Sequence, residues 1–500
     1  IWSVSTGWDK NRKVYMEFGI DYNRTFGLHK TTALILYNQS KYYSPSLQYY
    51  VPNAYQGLVG RLTYEYASRY LAEFNMGYNG TENFAKGKRF GFFPAVSLGW
   101  VISEEKFFPK NNIVKYLKVR GSYGEVGNDQ IGGDRFLYLP SSYGAASDSG
   151  VNKYNFGLAS NPYTSLMIVE NKIGNPDLTW EKNYALNLGV DLSLFRRVNL
   201  TFDWYTRTTK DLLMSKQLNS ISGFGSILTN VGEMKNTGFE IEVRSSNIQT
   251  KDFSWTTSLN LSHNKNKIVK LADLPEFIDG NYIRKEGCSY ATIYLREYAG
   301  VDPNDGRPMY YDNKEDENGN RSRNIVYDPN DADRVELKDI YPKLTGGLMN
   351  TFNYKFIDLS FNLSFHLGGY SYDGAMYALQ DDGYTAQYNK STELRRRWKQ
   401  PGDITDVPRY VYGQEYGGWW NSSRGVHSTD HLRLKSLIVG VSAPQSWLRT
   451  IGINSARIYF SGTNLLTWAA YDQYDPELNG IVSYFTPPLK TFAFGLELKF

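Results

Sequence analysis

Cysteine is almost absent from this 500-residue chain, which carries Cys288 alone. An internal disulfide framework and a cysteine-based zinc cluster are thereby excluded. An excess of charge of one sign is also lacking: 55 Lys+Arg stand against 51 Asp+Glu, a net charge of +4. No polyanionic partner is implied, and nucleic acid is not expected. No apolar run approaches the roughly 18 residues that a membrane-crossing helix needs. The chain opens at Ile1 with no basic-apolar leader, so residue 1 is not expected to be the start of the gene product. The five histidines, His29, His263, His366, His427 and His431, are scattered. There is no H-E-x-x-H, no phosphate-cradling Gly-Lys loop and no G-x-S-x-G, since "GYSYD" (369–373) fails at its last position. No enzyme and no cofactor are expected from such a set.

What the chain has in quantity is aromatic residues, 16% Phe, Trp and Tyr, with 45 glycines, at the mean hydropathy of a water-soluble protein. A helical membrane protein does not have that balance. A β-barrel does, because only alternate strand residues meet lipid and long loops add polar mass. The stretch "YALNLGVDLSLFRRVNLTFDWYTRT" (184–208) shows the alternation directly. Tyr184, Leu186, Leu188, Val190, Leu192 and Leu194 share one face, opposed by Asn187, Gly189, Asp191 and Ser193. After 195–197 the pattern restarts with Val198, Leu200, Phe202 and Trp204 against Asn199, Thr201, Asp203 and Arg207. This is a hairpin with a very short turn, apolar on one side and polar on the other. "FIDLSFNLSFHLGG" sets Ile357, Leu359, Phe361, Leu363, Phe365 and Leu367 against Asp358, Ser360, Asn362, Ser364 and His366, and the last strand ends on the aromatic Phe500. About sixteen to eighteen such segments can be counted, with weak ones near 1–8, 291–301 and 307–312.

The connections alternate as well. Short turns are expected near 24–28, 65–69, 195–197, 246–252 and 355, and long Gly-, Asp- and Tyr-rich loops near 39–55, 125–182, 209–236, 266–290, 313–344, 369–430 and 464–488. Short turns on one rim and long loops on the other are the asymmetry of transmembrane barrels. Two connections, 103–116 and 442–455, are longer than their side of the barrel predicts.

Ten stretches resemble the SusC/RagA-like TonB-dependent transporters of the Bacteroidetes outer membrane. Among them are "RFGFFPAVSLGWVISEEKFF" (89–108), "LKVRGSYGEVGND" (117–129), "NPDLTWEKNYALNLGVDL" (175–192), "NVGEMKNTGFEIEV" (230–243), "YPKLTGGLMNTFNYKFIDLSF" (341–361) and "ARIYFSGTNLLTW" (456–468). They occur in family order and together span most of the chain. The resemblance implies an all-β fold: a transmembrane antiparallel β-barrel whose full form has about 22 strands around a plug. Residues 1–500 would be the C-terminal portion of that barrel domain, with the plug and about four to six strands preceding it. It further implies import of oligosaccharides, or of oligopeptides as in the RagA branch, with a SusD-like surface lipoprotein outside and TonB–ExbB–ExbD acting through the missing N-terminal part. A passive porin or surface-binding barrel is the alternative. Where many family members carry an acidic "DxNxDG"-like loop, this chain has "YDPNDADRVELKD" (327–339). Asp328, Asn330, Asp331, Asp333 and Glu336 offer oxygens, but the spacing is not that of a regular calcium loop and its turn glycine is missing. A solvated loop is expected there, as for "EDENGNRS" (315–322).

Ligand-contact candidates lie in the loops where aromatics sit beside polar groups: "KYYSPSLQYY" (41–50), "QDDGYTAQYNK" (380–390) and "QEYGGWWNSS" (414–423). Aromatic faces stack on the C–H faces of sugars while carboxylates and amides bond to hydroxyls. The expected contacts are Tyr416, Trp419, Trp420, Tyr384, Asp381, Asp382 and Asn421. Tyr and Trp also form interfacial girdles and protein contacts.

Overall fold

The computed structural model describes residues 10–500 except 46, 48–50, 131–134, 140, 146–152, 158–162, 167, 273–274, 381–382, 384–387, 414–420, 449–451, 479 and 484–485. Fifteen strands make one antiparallel sheet in which each neighbour in space is the neighbour in sequence. They are β1 (Arg12–Phe26), β2 (His29–Tyr43), β3 (Asn53–Tyr66), β4 (Tyr70–Thr81), β5 (Phe90–Val101), β6 (Val114–Asn128), β7 (Glu181–Leu194) and β8 (Val198–Gln217), then β9 (Ser226–Gln249), β10 (Phe253–Lys270), β11 (Leu344–Tyr354), β12 (Ile357–Leu367), β13 (His431–Ser442), β14 (Ser455–Ala469) and β15 (Thr491–Lys499). This up-and-down order is that of outer-membrane barrels. Among the described residues no helix is long and apolar enough to cross a membrane.

The tight turns fall on one rim, and their backbone explains them. Ala67 and Ser68 between β3 and β4, and Phe195 and Arg196 between β7 and β8, all have φ between 52° and 58°. Two consecutive positive φ values give the turn twist that matches the twist of flanking strands. The two long connections on this rim carry short helical turns, Ile102–Glu104 and Gln445–Leu448. The opposite rim carries the four longest connections, of which 271–343 and 368–430 are the largest.

Two expectations need correction. The weak segments at 291–301 and 307–312 do not join the large sheet. Thr292–Arg296 pairs with Tyr282–Lys285 and Arg334–Asp339, while Tyr298–Val301 pairs with Pro308–Tyr311, both inside the connection between β10 and β11. At four to five residues each, they are far short of the ~9–11 a membrane strand needs. The segment at 1–8 lies outside the described residues. Likewise, most of the loop expected at 209–236 is strand: β8 and β9 run on as a long hairpin, joined at 218–225.

Register confirms the two faces. Leu188 opposes Trp204 and Val190 opposes Phe202, and Leu188 remains 50% exposed on the outer side. The residue next to it turns the other way, where the Asn187 amide reaches Arg120. Leu188→Arg is therefore expected to cost about 2–4 kcal/mol at a lipid-facing site and Asn187→Arg far less, as measured by the heat-modifiable folded fraction in membranes. Equal tolerance would refute the face assignment.

Candidate functional site

The inner wall carries ion pairs and hydrogen bonds that run across strands, although Asn38, Asn79 and Asp203 each keep a buried side-chain oxygen without a hydrogen-bond partner. Arg120 on β6 donates to Asp191 on β7 at 3.3 Å and to Asp203 on β8 at 2.7 Å. Gly189 makes room: a Cβ there would lie 2.5 Å from the Arg120 guanidinium carbon. Elsewhere on the wall, Arg61 bonds Glu73 through two nitrogens at 3.0 and 3.1 Å, and Arg457 grips both oxygens of Asp358. A groove of about 440 Å³ opens between Thr32, Thr63, Glu73, Ser97, Arg120 and Asn187. Such a wall offers paired donors and acceptors to a polar ligand, with Leu71, Ala72 and Leu98 adding apolar surface to the groove.

Over the long-loop rim the connections fold into a cap anchored at three places. The first is aromatic. Phe84, Leu178 and Trp180 are at most 4% exposed and close on Phe93 of β5. Trp180 meets Phe93 edge-on at 5.2 Å and donates from Nε1 to the Arg89 carbonyl at 3.2 Å. Thus the "NPDLTWE" stretch fastens the end of the 129–180 connection to the inner wall. Gly127 allows it, because a Cβ there would sit 2.0 Å from the Phe93 ring.

The second anchor is ionic. Arg433 of β13, 2% exposed, donates to Asp475 at 2.7 Å and to Thr467 Oγ1 at 3.1 Å, and its other terminal nitrogen stands 3.1 Å from Glu477. Lys435 reaches the same Glu477 at 2.6 Å. Two residues apart on a regular strand, these side chains would already share a face, but the register breaks between Leu434 and Ser436 against both neighbouring strands. Lys435 is the extra residue of a bulge, and Asn464 next to it on β14 has φ of 52°. Such bulges re-aim side chains at functional rims. Here the outward row shifts from Leu432 and Leu434 to Leu437, Val439 and Val441, while Arg433 and Lys435 both reach the loop. His431, 3% exposed, lies 3.9 Å from Glu477 and 4.8 Å from the ring of His366. His366 is thus at the inner face as its parity implies, though within this clasp.

The third anchor knits two loops together. Tyr370–Asp373 pairs antiparallel with Val426–Ser428 and parallel with Gly480–Val482. His427 stacks on Tyr471 at 3.7 Å, and Tyr471 donates to Asp373 at 2.9 Å. Burial and the nearby Arg424 push the His427 imidazole down to about 4, so it is neutral at physiological pH. Burial likewise pushes the Tyr474 phenol up to about 12. The loop 369–430 is therefore not a free flap, since its removal would take away the partner strand of 480–482.

Of the expected ligand contacts, Asp381, Asp382, Tyr384, Tyr416, Trp419 and Trp420 lie outside the described residues. Asn421 is described: it is half-buried with an Oδ1 that accepts no hydrogen bond. Within the acidic stretch 327–339, Asp328, Glu336 and Asp339 are engaged by protein partners. Asp328 caps the turn 329–331 through the Asn330 amide. Glu336 accepts from Lys285 at 2.8 Å and Arg321 at 2.9 Å. Burial alone would raise the Glu336 carboxyl, but these two cations overcome it and hold it at about 2. Among the described residues no group of three metal-ligating side chains forms a metal site.

Comparison with known proteins places this architecture. Residues 2–283 match the family model described as TonB dependent receptor-like, beta-barrel. The chain is 33% identical over 481 residues to TonB-dependent receptor P3 of Formosa agariphila, covering 88% of this chain and 45% of that protein. It is 30% identical over 467 residues to TonB-dependent receptor SusC of Bacteroides thetaiotaomicron, covering 90% of this chain and 44% of that protein. The structure of the RagAB peptide transporter superposes with a TM-score of 0.81 at 25% identity, covering 98% of this chain and 56% of that one. The chain thus spans under half the length of these curated relatives.

Proposed function

Because the chain belongs to the TonB-dependent receptor β-barrel family of the outer membrane, and to its SusC/RagA-like branch, we propose that it forms the wall and cap of an energised importer of oligosaccharides. The family is one of receptors and transporters, not enzymes. In this reading residues 1–500 are the C-terminal part of the barrel, a SusD-like lipoprotein sits over the long-loop rim, and TonB–ExbB–ExbD acts through an N-terminal plug. The observation that carries it is the pairing of a polar, ion-paired inner wall with a cap tied down by aromatic, ionic and strand anchors. A passive pore has no use for a cap built into both the wall and neighbouring loops. Asn421, whose Oδ1 is buried without a hydrogen-bond partner, and the residues that precede it in sequence, Trp419 and Trp420, are the proposed sugar contacts, with Tyr416, Tyr384, Asp381 and Asp382. Oligopeptide import is the second reading, favoured by the superposition on the RagAB peptide transporter.

Uptake of fluorescent oligosaccharides and of fluorescent oligopeptides by whole cells, with and without the intact gene and with and without TonB, is the test. Loss of oligosaccharide uptake in both deletions is expected. If uptake persists without TonB, the passive pore becomes the better account; if only peptide uptake is lost, the substrate class is that of the second reading.

A further inference from the structure

The outer face of β7–β10 changes character in register-matched rows. Val190, Phe202, Ile241 and Leu261 form one row across the four strands, and Leu188, Trp204, Phe239 and His263 the next towards the long-loop rim. Above them come Leu186, Thr206, Thr237 and Lys265, then Tyr184, Thr208, Lys235 and Lys267, and finally Lys182 beside Lys210. The apolar band ends in an aromatic girdle, and within about 13 Å of strand rise from Leu261 the side chains are basic. These strands are long enough for that: β8, β9 and β10 have 20, 24 and 18 residues against the ~9–11 needed to cross the bilayer. β11, β12, β13 and β14 instead end outward on Leu344, Leu367, Leu432 and Trp468.

The charges are poorly matched by the protein itself. Lys182 opposes Lys210, and Lys235 opposes Lys267. Like charges directly opposite on one face destabilise a sheet. Lys182 has Glu125 at 3.3 Å, and Lys210 lies 6.0 Å from the Tyr184 ring. Asp211 also lies near Lys182, and Glu233 stands opposite Lys270. Lys210, Lys235, Lys265 and Lys267 are exposed, and no described carboxylate pairs with them. Two like-charged pairs side by side, directly above an aromatic girdle, leave a place for an anion at the depth of the lipid headgroups.

We propose that this lysine belt binds phosphate groups of outer-leaflet lipid, so that a phosphorylated glycolipid seats its acyl chains on Leu188, Trp204 and Phe239 and its phosphates between Lys235, Lys265 and Lys267. The threonine row, in which Thr206 and Thr237 share a hydrogen bond at 3.2 Å, lies at the level between chain and headgroup. The occupant is a lipid and not a soluble anion because the basic rows are continuous with the apolar band below them.

The test titrates the purified full-length protein in detergent with lipid A carrying its phosphates, with the same lipid A dephosphorylated, and with inorganic phosphate, reading the thermal unfolding midpoint and the lipid retained in native mass spectra. Phosphorylated lipid A is expected to bind and the dephosphorylated form to bind at least tenfold more weakly. The triple variant Lys235→Gln, Lys265→Gln, Lys267→Gln should weaken phosphorylated lipid by about a hundredfold, roughly fivefold per lysine. The triple Lys→Arg variant should keep it, which separates lost charge from lost folding, and Lys118→Gln on the inner wall should leave it unchanged. Equal binding of the two lipids, a full effect from inorganic phosphate alone, or loss of a co-purifying protein in place of lipid would overturn the proposal.

Discussion

Replacing Arg433 with methionine is expected to release the segment 470–482 from the inner wall at a cost of about 3–5 kcal/mol, the range for removing one partner of a buried ion pair. The size follows from what stays behind. Asp475 has a side chain only 7% exposed and loses its 2.7 Å partner; Glu477 keeps Lys435 but loses the guanidinium 3.1 Å away. An uncompensated carboxylate in that setting must draw in water, and the cheapest way is for the loop to lift. Because 480–482 is paired with 370–373, the disturbance should pass to the base of the loop 369–430. Hydrogen exchange on 470–482 and 370–373 measures it, while exchange in β13 and β14 should change little. The double variant Arg433→Met, Asp475→Asn should recover part of the loss, since neighbours in one network are not additive. An unchanged exchange rate in 470–482 would mean that the strand pairing alone holds the cap.

That clasp also marks how far the sequence could be read. Pairing with the strands on either side sets Leu432 and Leu434 on the outer face and His431 and Arg433 on the inner. Their partners lie some forty residues on in a loop with no period, and the bulge at Lys435 exists only relative to the strands on either side. Neither can be seen in one segment. The barrel strands were legible because each carries its own period of two, and the turn at 195–197 because two complete patterns leave so few residues between them. The short strands at 292–296 and 308–311 looked like weak barrel strands because composition and alternation are the same at that length. Only their shortness, against what a membrane requires, separates them. Aromatic clustering in the loops marks glycan contacts, girdles and packed anchors alike. Trp180, a packed anchor, sat unrecognised inside a stretch noted for its family resemblance.

Trp180→Ala is expected to detach the cap from β5, at about 3–5 kcal/mol for an aromatic removed from a packed core. Trp180 is 4% exposed, with Phe84 at 5.7 Å and Phe93 at 5.2 Å, so the cavity would be lined by two rings that cannot collapse without moving β5. The Arg89 carbonyl would also lose its indole donor. Since Asn175 and Thr179 are tied to β9 through Leu228 and Asn230, the 129–180 connection should loosen at its end without unfolding the hairpin β7–β8, whose register does not involve Trp180. Limited proteolysis in intact membranes should then cut within 129–180, whereas the heat-modifiable folded fraction stays near that of the unaltered protein. Trp180→Phe, which keeps most of the ring volume, should be cut far more slowly. Cleavage equally slow in Trp180→Ala and the unaltered protein would show that the hydrogen bonds to β9, not the aromatic cluster, fasten this part of the cap.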